Sequence, residues 1–342
     1  MLIKMQVGEQ DRGELQVNVT DSDNAPIRDA RVTISEPETA INPNSPIERL
    51  ETDVSGQTQI VDLNTPPLEY SLNENNENMP YANYNIQIEV PGYETENIRN
   101  VEILPDSLSL QNVRMRRREG EQVENIDIDP HTLYAEYPEK IPEDEIKDVN
   151  EPGEIVLSRV VIPEYVVVHN GTPSSNARDY YVTYKDYIKN VASSEIYATW
   201  PRATIAANVL AIMSFTLNRV YTEWYRNKGY DFTITSSTAY DQKWIYGRNI
   251  FQSIDEVVDE IFDQYLSRPD VRQPILTQYC DGKRVTCPNW LSQWGSCNLG
   301  EQGFGTLEII RNYYGDDMYI NTAEQISGIP ASWPGYDLTI GA

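Results

Sequence analysis

The residues open to chemistry in this 342-residue chain are mainly carboxylates, tyrosines and amides. Histidine occurs only as His131 and His169. A Ser-His-Asp or Cys-His site would therefore have to use His169, which stands beside the turn Asn170-Gly171 and reads as a surface residue. Neither an HExxH pair nor a phosphate-cradling glycine loop is present. Cys280, Cys287 and Cys297 are an odd set whose spacings are not those of a zinc ribbon, so buried or free thiols are expected and no metal. What is left is carboxylate chemistry with tyrosine and amide support, the inventory of a glycan-cleaving site. One carboxylate stands out. Glu195, in SSEIYATWP (193–201), lies six residues before Pro201, too far to cap the helix that follows.

That helix is the clearest element of the second half. From Arg202 to Asn227 the apolar positions Ile205, Val209, Ile212, Met213, Val220 and Trp224 recur at three- and four-residue steps, predicting an amphipathic helix of about seven turns. Pro201 suits its first turn and Gly229 its end. Upstream, VLSRVVIPEYVVVHNG (156–171) reads as β-rich.

The first hundred residues alternate. GELQVNVTD (13–21), ARVTISEP (30–37), QTQIVDL (57–63), YNIQIEV (84–90) and LSLQNVRM (108–115) predict strands. The cluster DSDNAP between the first two is a hairpin-like signal. Short strands of this kind predict an all-β sandwich.

Charge divides the chain further. It holds 53 acidic and 27 basic residues, a net of −26. Residues 119–155 carry 13 acids and only two lysines, Lys140 and Lys147. This proline-rich acidic stretch predicts an extended linker, either a tether or a pro-segment that a protease can reach. The acidity argues against nucleic acid and against attraction to anionic membranes or wall polymers, so a carbohydrate would be held by stacking and hydrogen bonds. The 23 tyrosines and six tryptophans make that feasible. No apolar run approaches the ~18–20 residues of a membrane span. The opening residues lack an apolar core of signal-peptide length, so the expectation is retention in the producing cell or deployment by another route.

Two resemblances add to this reading. Pro26-Ile27, Ala30-Arg31-Val32, Thr52-Asp53-Val54-Ser55-Gly56 and Val90-Pro91-Gly92-Tyr93 resemble Cna-B and carboxypeptidase-regulatory-like sandwiches across about residues 12–116. Some such domains carry a Lys–Asn isopeptide crosslink. Lys4, the only lysine before residue 118, lies outside the pattern, so none is expected. The second half resembles the SpoIID family in four ordered blocks: YIKNVASSEIYATWP with its alanine-rich helix, TSSTAYDQKWIYG (235–247), ILTQYCDG (275–282) and LSQWGSCNLGEQGFGTLEIIRNYYGDDMYI (291–320). Within that family the arrangement is most similar to the clostridial spore cortex-lytic enzymes of the SleC type in their pre-pro form.

The resemblance implies an N-terminal sandwich over 1–118, an acidic pro-segment over 119–155, an α+β SpoIID-like catalytic domain over 156–330, and in 331–342 the entry to a peptidoglycan-binding domain. It implies a zymogen of a spore-located lytic transglycosylase, with cortex peptidoglycan as substrate and a subtilisin-like germination protease as activator. Neither cofactor nor metal is implied, since the Cys/His set of some SpoIID proteins is not reproduced. By the same resemblance Glu195 is the catalytic acid, walled by Ile196, Tyr197 and Trp200. Asp241, Gln242, Tyr246, Tyr279, Asp281, Gln293 and Trp294 are its candidate substrate-binding residues, although YCDG departs from the family's Ser-rich Gly-Gly block. The alternatives are an N-acetylmuramoyl-L-alanine amidase and a non-enzymatic spore- or wall-binding protein that activates another hydrolase.

Overall fold

The computed structural model describes residues 10–37, 46–118, 123–148 and 156–327. The expected entry to a further domain at 331–342, and Lys4, lie outside the described residues. The chain forms two compact units. The first runs up to Tyr134 and takes in Tyr197–Thr199 and Ile245–Ser253. The second holds Ala135–Ile196, Trp200–Trp244 and the chain from Ile254.

The first unit is built from β1 (Asp11–Thr20), β2 (Arg31–Ser35), β3 (Pro46–Glu51), β4 (Val61–Thr65), the short α1 (Glu69–Leu72), β5 (Ala82–Glu89), β6 (Thr95–Ile103), β7 (Leu108–Arg114) and β8 (Val123–Asp127). One sheet runs β7-β1-β4 with Ile250–Phe251 added as an edge beside β7, and the other runs β3-β2-β5-β6-β8. Alternating side chains from both sheets, among them Val17, Val19, Val32, Ile34, Ile86 and Ile98, share one core. The hairpin-like turn at DSDNAP is present: Thr20 and Pro26 form an antiparallel bridge, and the Ile27 N–H reaches Val19 O while the Asp21 N–H reaches Ala25 O, both at 2.9 Å. β1 pairs with β4 and β7 whereas β2 pairs with β3 and β5, so DSDNAP carries the chain from one sheet to the other.

The acidic stretch differs from the expected linker. Beneath its charge, VENIDID alternates, and β8 pairs in parallel with β6 while Ile126 and Ile128 enter the sandwich core. Residues 135–148 belong to the second unit. The two compact units divide at Tyr134/Ala135, inside the acidic stretch, and buried alternation outweighs acidic composition in deciding where its strand forms.

In the second unit the chain passes through β9 (Val161–Ile162), β10 (Tyr165–His169), β11 (Asp179–Thr183), α2 (Tyr184–Glu195), α3 (Arg202–Tyr221) and β12 (Ile234–Thr235). After β13, the Ile250–Phe251 edge strand already described, come α4 (Gln252–Ile261), β14 (Gln264–Ser267), β15 (Tyr279–Cys280), β16 (Leu291–Ser292), α5 (Gln293–Glu301), α6 (Thr306–Tyr314) and β17 (Tyr319–Thr322). The sheets here are small: β11-β10-β12, β14-β17 and β15-β16.

The predicted helix exists but is shorter, with Pro201 as its N-cap in an extended conformation. It is not amphipathic in use. From Thr204 to Tyr221 all side chains but Ala206 are buried. By length and composition it could cross a membrane, yet it is the buried core helix of this unit. Several of its polar groups find partners inside: Asn208 donates to Thr204 O and Ser296 Oγ (2.9 and 2.8 Å), and Ser214 Oγ accepts the Leu266 N–H (2.7 Å).

Ile245, over 130 residues after β7 in sequence, is buried in the sandwich core. Ile245→Ala should cost the first unit about 2–5 kcal/mol, measured by chemical unfolding followed through β-sheet circular dichroism. A loss below about 0.5 kcal/mol would remove 245–253 from that core.

Candidate functional site

Glu195 is the last residue of α2. The helix starts at Thr183, whose hydroxyl accepts the Asp186 N–H, and its final turn, Ala192 to Glu195, is fully buried. A carboxylate at a helix C-terminus faces the negative end of the macrodipole, which favours the neutral acid. The carboxyl is 0 % exposed. Its Oε1 accepts the Lys243 N–H at 2.7 Å, and its Oε2 accepts from Gln293 Nε2 at 3.2 Å. The same amide nitrogen lies 3.1 Å from the Glu195 carbonyl, so one Gln293 amide fixes both side chain and backbone.

Sheet pairing explains how Gln293 arrives there. β15 pairs with β16, setting Tyr279 opposite Leu291, and Gln293 follows directly as the first residue of α5. Tyr279 is buried beside Glu195, its hydroxyl outside hydrogen-bond geometry to any protein partner but near enough to favour the carboxylate. Tyr137 and Tyr187 also feel the Glu195 charge, and burial pushes all three phenols well above the ordinary tyrosine value. Burial likewise raises the Glu195 carboxyl; the Lys140 charge, the Lys243 N–H, Tyr279 and Gln293 pull it back only in part.

The other expected site residues have different tasks. Asp241 is 0 % exposed and saturated by protein: Oδ1 takes Arg219 Nε (2.8 Å), while Oδ2 takes Tyr225 Oη (2.6 Å), Thr235 N (2.9 Å) and Thr235 Oγ1 (2.6 Å). Gln242 is equally committed, accepting from Tyr187 Oη and Thr216 Oγ1 and donating to Ile212 O. Asp281 organises a turn by accepting the N–H groups of Lys283, Arg284 and Val285. Trp294 is buried against Trp200, ring centroids 5.1 Å apart. Tyr246 belongs to the first unit, where its hydroxyl meets Arg116 and Glu124 (both 3.3 Å). Of the expected apolar wall, Ile196 and Trp200 stand in the second unit, but Tyr197 packs on His131 in the first.

Two readings of lone residues also change. Cys280 and Cys287 form a disulfide, while Cys297 is buried outside it. The bridge closes the loop that Asp281 organises, and Gly282 adopts φ +77° there with Ser292 packed where a Cβ would project. This loop is what YCDG encodes. His169 is buried rather than superficial: Nδ1 is 2.6 Å from Asp179 Oδ1, Nε2 is 3.3 Å from Ser175 Oγ, and the ring stacks on Phe232. Ser175 Oγ donates to Thr172 O at 2.7 Å, so this trio clamps the β10–β11 hairpin.

Sequence reasoning missed Tyr137, Lys140 and Tyr187 as neighbours of Glu195. Two of them lie in the acidic stretch, where composition hides any periodicity. The available signal was that stretch's only lysines, Lys140 and Lys147, both of which are buried.

No family model and no curated protein matches the chain. Among solved structures it is similar to a minor pilin of Streptococcus agalactiae (17 % identity, TM-score 0.23), the match covering 33 % of this chain and 48 % of the pilin. It is also similar to the Bacillus anthracis TIE protein (13 %, TM-score 0.20), over 31 % of this chain and 17 % of that one. A catechol 1,2-dioxygenase of Acinetobacter radioresistens is a third (13 %, TM-score 0.23), over 34 % and 58 %. The chain thus spans about half or less of the first two chains it matches. Likenesses this low carry no argument about function.

Two measurements separate the roles assigned here. Asp241→Ala should destabilise the second unit by about 3–5 kcal/mol, because Arg219 loses a buried counter-charge. Unchanged stability with weakened glycan binding would return Asp241 to a substrate role. Because the folded Glu195 value is raised, the stability it contributes is present below about pH 4.3 and is lost as pH rises through the folded value. Glu195→Gln removes that loss, and the Gln293 amide, whose Oε1 has no partner, can flip to accept from the new amide. The variant's Tm relative to the parent should therefore increase between pH 4 and pH 8, by about 2–4 °C per kcal/mol. A pH-independent difference would refute a raised carboxyl.

Proposed function

We propose that the second unit is a SpoIID-like lytic transglycosylase that cleaves spore cortex peptidoglycan, with Glu195 as its single acid and base. The observation that carries this reading is a wholly buried carboxyl at a helix C-terminus, aimed by one backbone N–H and one side-chain amide and raised above the ordinary glutamate value.

Such a carboxyl suits the chemistry. As the neutral acid it protonates the oxygen between MurNAc and GlcNAc, and the C1–O bond breaks with oxocarbenium character at the muramoyl C1. The muramoyl C6 hydroxyl then attacks C1, and the Glu195 carboxylate takes its proton. A 1,6-anhydro ring forms, no water is consumed, and the acid is restored. Lys243 N–H and Gln293 hold the carboxyl in position across both steps, while Tyr279 and Tyr187 keep its surroundings dry. Asp241, Gln242 and Asp281 act by holding this frame.

We further read the uncut chain as a zymogen of the SleC type that resides in the spore and awaits a subtilisin-like germination protease. The complete burial of Glu195 supports that reading.

The test is muropeptide analysis after limited proteolysis of the chain on decoated spores. Release of 1,6-anhydro products is expected, and Glu195→Gln should lower it by about 10²–10⁴-fold. New free amino termini without anhydro products would assign an amidase instead. Equal digestion by the variant would leave Glu195 without a catalytic role and favour a binding protein.

A further inference from the structure

Residues 135–148 cross the second unit in a way that core segments do not. From Pro142 to Asp148 outward and inward positions alternate, and the inward ones carry charge. Lys147 and Glu143 are 7 % and 14 % exposed and Glu145 is half-buried, while Ile146 remains 40 % exposed. A strand that belongs to a core turns its apolar side chains inward; this one turns charges inward.

The means of attachment are equally distinctive. Among the described residues two backbone–backbone bonds tie it down, Ile141 N–H to Ala239 O and Leu276 N–H to Glu145 O, both 2.9 Å. Two glutamine side chains supply what a neighbouring strand would normally provide. The Gln278 amide donates to Ile141 O and accepts the Glu143 N–H, both at 2.9 Å. The Gln273 amide donates to Lys147 O at 2.9 Å and accepts the Lys147 N–H at 3.0 Å. Cations complete the grip: Arg219 takes both oxygens of Glu143 (3.0 and 2.6 Å), and Arg268 takes both oxygens of Glu145. Burial pushes the Glu143 carboxyl up, but Arg219 and Lys147 outweigh it and hold it down at about 2.

The N-terminal part of the same segment reaches the site. Tyr137 is buried within electrostatic range of Glu195, and Lys140 lies over the Tyr279 ring at 4.2 Å while donating to Asp241 O at 3.1 Å. The Lys140 charge acts on the Glu195 carboxyl.

We propose that residues 135–148 are a detachable internal strap that seals the second unit over Glu195, held by amide clamps and ion pairs and placing Lys140 over the Tyr279 ring beside that carboxyl. The regulatory meaning rests on the reading of Glu195 as the catalyst. Ion pairs and amide bonds of this kind exchange for water at small net cost, unlike an apolar core contact. Once released, the strap is a soluble acidic peptide. Gln278 is then free to hydrogen-bond the hydroxyl and acetamide groups of a glycan, and so is Gln273 Nε2, while Gln273 Oε1 keeps the Asn218 amide. Arg219 keeps its Asp241 partner, so the unit does not lose its core pair on release.

The strap can be tested without turnover. In the full chain, Glu143→Gln/Glu145→Gln and, separately, Lys140→Met would be compared with the parent by hydrogen exchange and by labelling with a water-soluble carbodiimide and glycine ethyl ester. The expected result in at least one variant is at least tenfold faster exchange in peptides covering 135–148, with α3 protection unchanged as the control for folding. Glu195 labelling should rise at least tenfold in step. Unchanged strap exchange in both variants would show that these charges do not hold it, and faster strap exchange with Glu195 still unlabelled would show that it does not seal the site. Either result overturns the proposal. A failure of the transglycosylase reading appears elsewhere, as absence of anhydro products from the protease-cut parent.

Discussion

The buried pair of Asp241 and Arg219 is the interaction on which the second unit depends. Neither side chain is solvent-exposed. A charge pair withdrawn from water survives only when its remaining lone pairs and protons are matched, and here they are. Asp241 draws Arg219 from α3, Tyr225 from the turn after it, and both the backbone and hydroxyl of Thr235 from β12 onto one carboxylate. Its carbonyl receives Lys140. The residues immediately following are fixed as a consequence: Gln242 locks to α2 and α3, and Lys243 presents its N–H to Glu195. The acid is aimed by a neighbour's backbone, held in place by a structural carboxylate two residues earlier.

The two carboxyls therefore divide the labour through their surroundings. Asp241 is surrounded by donors and a guanidinium and has no capacity left. Glu195 has one N–H, one amide and a ring of phenols, with its nearest positive charge on a lysine that is itself depressed by burial. One group is spent on architecture, and the other is poorly solvated and raised by burial. Opposite environments for two carboxyls a few residues apart in space are a recurring basis for acid–base chemistry.

Much of the first unit was legible. Alternation located β1, β2, β4, β5 and β7 because each strand has one face in the core, and side-chain period alone reports that. β6 and β8 were less visible: polar residues such as Glu96 and Glu102 occupy inward or flanking positions, and the acidity of 119–155 concealed Val123–Asp127. The DSDNAP turn was legible too, but a turn signal shows that the chain reverses and not which sheet receives it. In the second unit the helix around 202–221 was recognisable, but its burial on all sides was not, because its serines, threonines and asparagines read as an outward face until their internal partners are known.

By itself the sequence determined the alternation that makes the sandwich, the apolar helix, and a side-chain inventory that leaves carboxylate chemistry as the main option. It denied Glu195 a role as cap of the following helix, and the resemblance to SpoIID blocks then pointed to that carboxyl. Only the tertiary structure decided that this carboxyl is sealed, that Gln293 and Lys243 aim it, that Asp241, Gln242 and Asp281 are spent on the frame, and that the acidic stretch supplies a strand to one unit and a strap to the other. The physical reason is that periodicity is local and records which face of an element is buried. Desolvation, charge pairing and hydrogen-bond saturation depend on which groups meet, often a hundred residues apart, and no local pattern records that.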